Sequence, residues 1–153
     1  MVEETVITLG EELGDASLVP PLVESLYPLR LKKVVREPNK AGDGFNFVWN
    51  WEIHGTGKKD ADGRPIDGRG ITDWTALPKP GDESDYWSDG RTAKEGKLFS
   101  IQQILKALGY DYGKKGIIDL KKLGGAVCKA LIRPDKDQNG RPVNRIVEYK
   151  PAK

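Results

Sequence analysis

From Phe45 to Ile53 the chain reads FNFVWNWEI, and large apolar side chains recur at every second position. Phe45, Phe47, Trp49, Trp51 and Ile53 fall on one face, and Asn46, Val48, Asn50 and Glu52 on the other. Successive side chains of a strand point to opposite sides of its sheet, so this alternation predicts a β-strand with one buried face. Such a run of aromatic rings should organise the fold. The rings either fill the centre of a small barrel or form a platform on which flat ligands stack. A small barrel has a narrow interior, which puts Phe45 or Trp49 at its rim.

The same pattern, read outwards, predicts the other elements. In LYPLRLKKVVRE, Leu29, Leu31, Lys33 and Val35 alternate with Arg30, Lys32, Val34 and Arg36, giving a first strand with a basic outer face. The turn chemistry of PNKAGDG joins it to the aromatic strand as a hairpin. GTGKKDADGRPIDGRG follows, with five Gly and no apolar period, and predicts a long, mobile loop. A third strand fits Gly70–Leu77, with Ile71, Thr75 and Leu77 alternating against Trp74. Leu98, Ile101, Ile104, Leu105 and Leu108 recur at helical spacing, and Gly109 stands where a left-handed C-cap belongs. AVCKALIR and PVNRIVEYK then flank PDKDQNG, whose Asn139-Gly140 step signals a hairpin.

Three strands, one helix and a closing hairpin predict a mainly β protein. The element order fits the five-stranded Greek-key barrel called the OB-fold, with its helix between strands three and four. A split α+β sandwich and an open five-stranded sheet capped by the helix are the alternatives. The domain is expected over 26–153. Residues 1–25 lack a sustained period and read as an irregular acidic arm.

Charge sharpens that division. The net charge of +2 conceals an arm with six acidic and no basic residues, and a remainder with 25 basic and 17 acidic ones. An acidic arm on a basic body fits a protein that meets a polyanion, with the arm competing for the basic surface. The 153 residues suit one domain, and their 37% hydrophobic content is ordinary for a globular protein. No apolar run approaches a membrane span, and the N-terminus lacks a signal-peptide plan. The single cysteine, Cys128, lies in an apolar run and reads as an inert packed thiol, with a reducing cytoplasm as the simplest compartment.

The run from Tyr27 to Pro151, about four-fifths of the chain, resembles a family of small bacteriophage proteins from replication and recombination modules. The landmarks are GDGFNFVWNWEI, the helix end Ala107-Leu108-Gly109, the step Asp119-Leu120 to Leu123-Gly124-Gly125, and the closing NGRPVNRIVEYKP. The resemblance implies an OB-fold that binds single-stranded DNA in a bacterial host, alongside replication or recombination proteins. The loop at 55–70 and the acidic arm depart from the family pattern.

Holding a single strand takes basic side chains along a groove for phosphates and exposed aromatic faces for bases. For phosphates the pattern nominates Arg30, Lys32 and Arg36 beside Asn46 and Asn50. Lys58, Lys59 and Arg69 on the Gly-rich loop, and Arg91 after it, are further candidates. For stacking it nominates Trp74, Tyr86 and Trp87, which lie among polar neighbours, and Trp49 at the rim. An OB-like module that docks a replication or nuclease factor in the same groove is the competing reading.

Other chemistry finds little support. Asp135, Asp137, Asn139 and Gly140 open like a calcium loop, but Ile146 occupies the position of the bidentate Glu. A hairpin turn explains the same residues, and Asp60-Ala61-Asp62-Gly63 has the same weakness. His54 is the only histidine, which removes His-based metal clusters and most catalytic triads. A nuclease centre would have to draw on Glu52, Asp60, Asp62 and Asp67, and loop aspartates of this kind are usually turn formers. The chain therefore reads as non-catalytic, without metal or cofactor.

Overall fold

The computed structural model describes residues 5–6 and 21–153. Five strands form one antiparallel sheet: β1 (Ser25–Pro38), β2 (Phe45–Ile53), β3 (Gly70–Ala76), β4 (Val127–Lys136) and β5 (Pro142–Lys150). Their spatial order is β3-β2-β1-β4-β5, and the one α-helix among the described residues, α1 (Ala93–Ala107), falls between β3 and β4 in sequence. The sheet curls but does not fully close, because β3 and β5 share no backbone ladder and α1 packs against both.

The aromatic strand fills the core. Phe47, Trp49, Trp51 and Ile53 are all buried, as alternation requires. Phe47 meets Trp49 edge-on with ring centroids 5.9 Å apart, and Trp49 stacks on Trp51 at 6.2 Å. Trp49, expected at the rim as an alternative to Phe45, is fully enclosed: the rings spread along the strand, and only Phe45 reaches the rim.

β1 departs from a simple alternation. Its register against β2 runs Leu31↔Trp51 and then Lys33↔Asn50, so Lys32 is an extra, bulged residue. A one-residue insertion exchanges the two faces beyond it. Val34 is therefore buried where Lys33 and Val35 were expected, and Lys32 and Lys33 both face outward. Arg36 moves to the inner row with Phe47, where its guanidinium lies 3.8 Å from the centre of the Phe45 ring.

α1 starts one turn earlier than its apolar pattern indicates. Thr92 and Glu95 form a reciprocal capping box, with the Glu95 N–H donating to Thr92 Oγ1 (3.1 Å) and the Thr92 N–H to Glu95 Oε1 (3.2 Å). At the other end Gly109 takes φ +71, and the Gly109 and Tyr110 N–H groups close onto the Lys106 and Leu105 carbonyls. Leu98, expected in the core, is 46% exposed; Gly96 takes the buried position on that turn.

The segment 55–70 is not the loose loop its composition suggests. Asp67 accepts hydrogen bonds from Thr56 N, Thr56 Oγ1 and Gly57 N, and Asp60 from Asp62 N and Arg64 N. Ile66 anchors the loop in the core. The Asp137 carboxylate likewise accepts from Asn139 N and Arg141 N, so the calcium-like string is a hairpin turn.

The packed domain begins before residue 26. Leu22 is 3% exposed and its N–H donates to Asn144 Oδ1 (2.7 Å), while Glu24 pairs with Arg133 on β4. The rest of the acidic arm, apart from residues 5–6, lies outside the described residues. Among the described residues no helix is long and apolar enough to cross a membrane. Cys128 is buried, and desolvation pushes its thiol up to about 12, in line with an inert packed group.

Candidate nucleic-acid interface

The registers of β1, β2 and β3 arrange the outer face of the sheet in rows. Going along the strands these are Arg30–Glu52–Gly70, Lys33–Asn50–Thr72, Val35–Val48–Trp74 and Glu37–Asn46–Ala76. Trp74 is 60% exposed and sits directly across from Val48, which is buried although it points outward. A large ring standing on a sheet face beside a smaller apolar side chain offers a flat surface for a planar partner.

Two hollows flank this row. One has Val48 as its floor and Trp74, Asn46 and the turn Pro38–Lys40 as walls. The other is lined by Lys32, Lys33, Asn50, Gly70 and Thr72. The bulge places Lys32 and Lys33 side by side at that second hollow, and Thr72 Oγ1 lies 3.4 Å from Asn50 Oδ1. Lys33 and Thr72 were absent from the sequence-based set, since an unbroken alternation turns Lys33 inward.

The basic character of this face is weaker than the positive residues alone indicate. Arg30 is ion-paired to Glu52, with Nε donating to Oε1 at 2.8 Å, and Lys32 lies 3.9 Å from the other Glu52 oxygen. The Arg30 partner holds the Glu52 carboxyl below its usual range. Lys33 therefore carries the least compensated charge of the three cations on strand β1's outer face. Arg36, over Phe45 on the inner rim, does not belong to this face.

Trp74 also borders a groove of about 530 Å³ between β3, α1 and β5, shared with Trp87, Lys97, Phe99 and Tyr149. Trp87 is only partly available there. Its ring lies flat on α1, so that a Cβ on Gly96 would fall 1.9 Å from Trp87 Cζ3. Arg91 sits 5.9 Å from the Trp87 ring and 5.2 Å from Phe99, with its guanidinium paired to Asp89 at 2.7 Å. Lys97 is paired with Asp82 (2.7 Å). Phe99, 47% exposed, is a groove residue that the sequence reading missed.

Other nominated residues separate. Trp49 has no exposed surface and its indole N–H donates to Thr75 Oγ1 (2.8 Å), which removes it from any binding surface. Arg69 staples its own loop, pairing with Asp60 and donating from Nε to the Pro65 carbonyl (3.1 Å). Lys58 and Lys59 are exposed on that loop, and Tyr86 is exposed beyond β3, none of them lining the hollows around Trp74.

At the floor of the β3–β5 seam Asp73 accepts a hydrogen bond from the Tyr149 hydroxyl (2.6 Å). Burial raises the Asp73 carboxyl, and burial followed by the Asp73 charge raises the Tyr149 phenol. The other Asp73 oxygen accepts from the Trp74 N–H (2.9 Å), so the carboxyl is held by its own strand while its bond to Tyr149 ties the two edges together. Among the described residues no group of three or more His, Cys, Asp or Glu side chains gathers where it could hold a metal ion. Compared with protein-family models and with curated proteins, the chain matches none.

Proposed function

We propose that the chain is a non-catalytic OB-type module that binds single-stranded DNA with little sequence preference, in a phage or prophage replication or recombination system within a bacterial cytoplasm. The observation that carries this reading is Trp74, exposed on the outer sheet face with Val35 and Val48 in its row and Lys33, Asn50 and Thr72 in the next. Bases stack on the indole, which suits any base because every base has a π-face. Phosphates lie over Lys32 and Lys33, which hold the backbone without reading sequence. The connectivity supports the OB reading, since β1 pairs with both β2 and β4, and α1 bridges β3 and β4 beside the seam.

A second reading is that the same face docks a replication or nuclease protein. The apolar row Val35–Val48–Trp74 favours it, because an apolar strip serves a side chain as well as a base. Titration with oligo-dT at low and high salt separates the two. Single-strand affinity falls steeply as counterions compete for the phosphates, whereas an apolar protein contact changes little. Absence of saturable oligo-dT binding at low salt would remove the DNA reading.

A further inference from the structure

On the opposite flank of α1 from Trp74 runs a second groove, of about 500 Å³, between the helix and the segment 110–118. Its floor is apolar: Leu98, Phe99, Leu105 and Ile118 line it, and Leu98 and Phe99 remain nearly half exposed. The groove is a built feature, because Gln102 Nε2 on α1 donates to the Tyr112 hydroxyl (2.8 Å) and the Asp119 N–H to the Tyr110 hydroxyl (2.9 Å). Ile117, next to the groove, is 70% exposed.

The rim is mainly basic, with Glu95 the one acid among its lining residues. Lys114 lines the groove and Lys115 follows it, while Lys94 sits one helical turn before Leu98 on the same face of α1. Among the described residues none of these three lysines is paired with a carboxylate, as the ion pairs near this surface are Arg91–Asp89 and Lys97–Asp82. The nearby acids are turned to local work. Glu95 closes the helix cap with Thr92, and Asp111 accepts from the Gly113 N–H (2.9 Å).

We infer that this groove docks an acidic, apolar-studded peptide segment of a partner protein. Leucine- or phenylalanine-sized side chains seat on Leu98, Phe99 and Ile118, and flanking carboxylates meet Lys94, Lys114 and Lys115. An apolar floor with a basic rim selects against the two simpler occupants. A nucleic acid offers an aliphatic floor little beyond thymine methyls and sugar carbons, and a second copy of this face would set lysine against lysine. The inference does not rest on the nucleic-acid reading, although Phe99 borders both grooves.

The test is fluorescence anisotropy of a fluorescein-labelled synthetic peptide of Asp, Glu, Leu and Phe, titrated with the full chain. Saturable binding is expected, with affinity at least about tenfold lower for Leu98→Ser, the loss of one seated anchor. A Lys114→Glu, Lys115→Glu double variant should bind more weakly and with a flatter salt dependence. Both changes are at exposed positions, and unchanged thermal melting would show that the fold persists. Saturating oligo-dT should leave the peptide bound. The inference fails if the peptide does not bind, if Leu98→Ser binds like the parent, if oligo-dT displaces the peptide, or if sedimentation reveals a dimer that Leu98→Ser abolishes.

Discussion

The Tyr149 hydroxyl on β5 donates a 2.6 Å hydrogen bond to Asp73 on β3, across the seam where these two edge strands share no backbone ladder. Below that bond the Tyr149 and Trp51 rings lie 5.5 Å apart. One side-chain bond thus ties the open side of the sheet to the aromatic core.

Removing the hydroxyl should loosen the seam. Tyr149→Phe leaves the ring packing intact but leaves the half-buried Asp73 carboxylate with only the Trp74 N–H as partner, a loss of about 1–3 kcal/mol. Chemical denaturation should report that loss, and hydrogen exchange should rise first in β3 and β5. A variant as stable as the parent would mean the seam is held by α1 and apolar packing alone.

The pH dependence of stability has two opposed contributions. Asp43, Glu52, Asp60, Asp67, Asp82, Asp89 and Asp135 have carboxyls held low, with a side-chain partner the foremost cause in all but Asp135, where its neighbour's backbone N–H leads. Their contribution is present above the unfolded carboxylate range, near pH 4, and is lost as pH falls. Asp73 is raised by burial, so its protonated form is favoured in the folded state. Its contribution is full below about pH 4 and lost as pH rises through the folded value. Seven groups against one should give net acid destabilisation, and Asp73→Asn should steepen it. A shallower acid limb in that variant would contradict the assignment of Asp73.

Gly96 offers a test in which the sign decides. Helix propensity alone makes Gly→Ala stabilising by about 1 kcal/mol in a helix interior. Here the new methyl would stand 1.9 Å from Trp87 Cζ3, and overpacking of that kind costs about 1–3 kcal/mol. Gly96→Ala should therefore lower the melting temperature and shift Trp87 emission to the red as the ring leaves the helix. A stabilised variant would show that Trp87 does not rest on α1.

The arm boundary predicts a difference between two truncations. Removing residues 1–24 deletes Leu22 and the Glu24–Arg133 pair, and loss of a buried leucine costs about 2–5 kcal/mol. A truncation ending at Val19 keeps both. Urea denaturation should separate the two proteins by that amount, and equal stabilities would place the start of the domain later, as the charge pattern alone suggested.

Much of the fold was legible, and the failures have identifiable causes. Period two on β2 is strong because every ring of Phe47, Trp49 and Trp51 is buried on one face, so the core followed directly. The bulge at Lys32 was not legible, because two consecutive outward lysines leave the local composition unchanged while reversing the face of all that follows. That slip moved Arg36 onto the candidate surface and Lys33 off it. Composition also misjudged the Gly-rich loop, where Asp60 and Asp67 supply in side-chain hydrogen bonds the order that an apolar period normally supplies. The capping box Thr92-x-x-Glu95 was present in the sequence and unread. Leu22 is a lone apolar residue with no period around it, and only tertiary packing identifies it.

On the outer face, Lys32 and Lys33 should matter more than the other cations of β1. Charge reversal of this pair should weaken single-strand binding across base compositions and flatten its salt slope. Arg36→Glu, on the other side of the sheet, should leave binding unchanged. Equal losses from both would return Arg36 to the interface.

The claim that Trp74 is a stacking platform meets its most direct test in tryptophan emission during oligo-dT titration of the parent and of Trp74→Ala. Trp74 lies outside the core, so the variant should melt like the parent, whereas Trp51→Ala should lose about 3–5 kcal/mol of stability. Parent emission should be quenched on binding. The variant should bind with about 1–3 kcal/mol less affinity and lose most of the quench. Parent-like affinity and quenching in a folded Trp74→Ala protein would contradict the account.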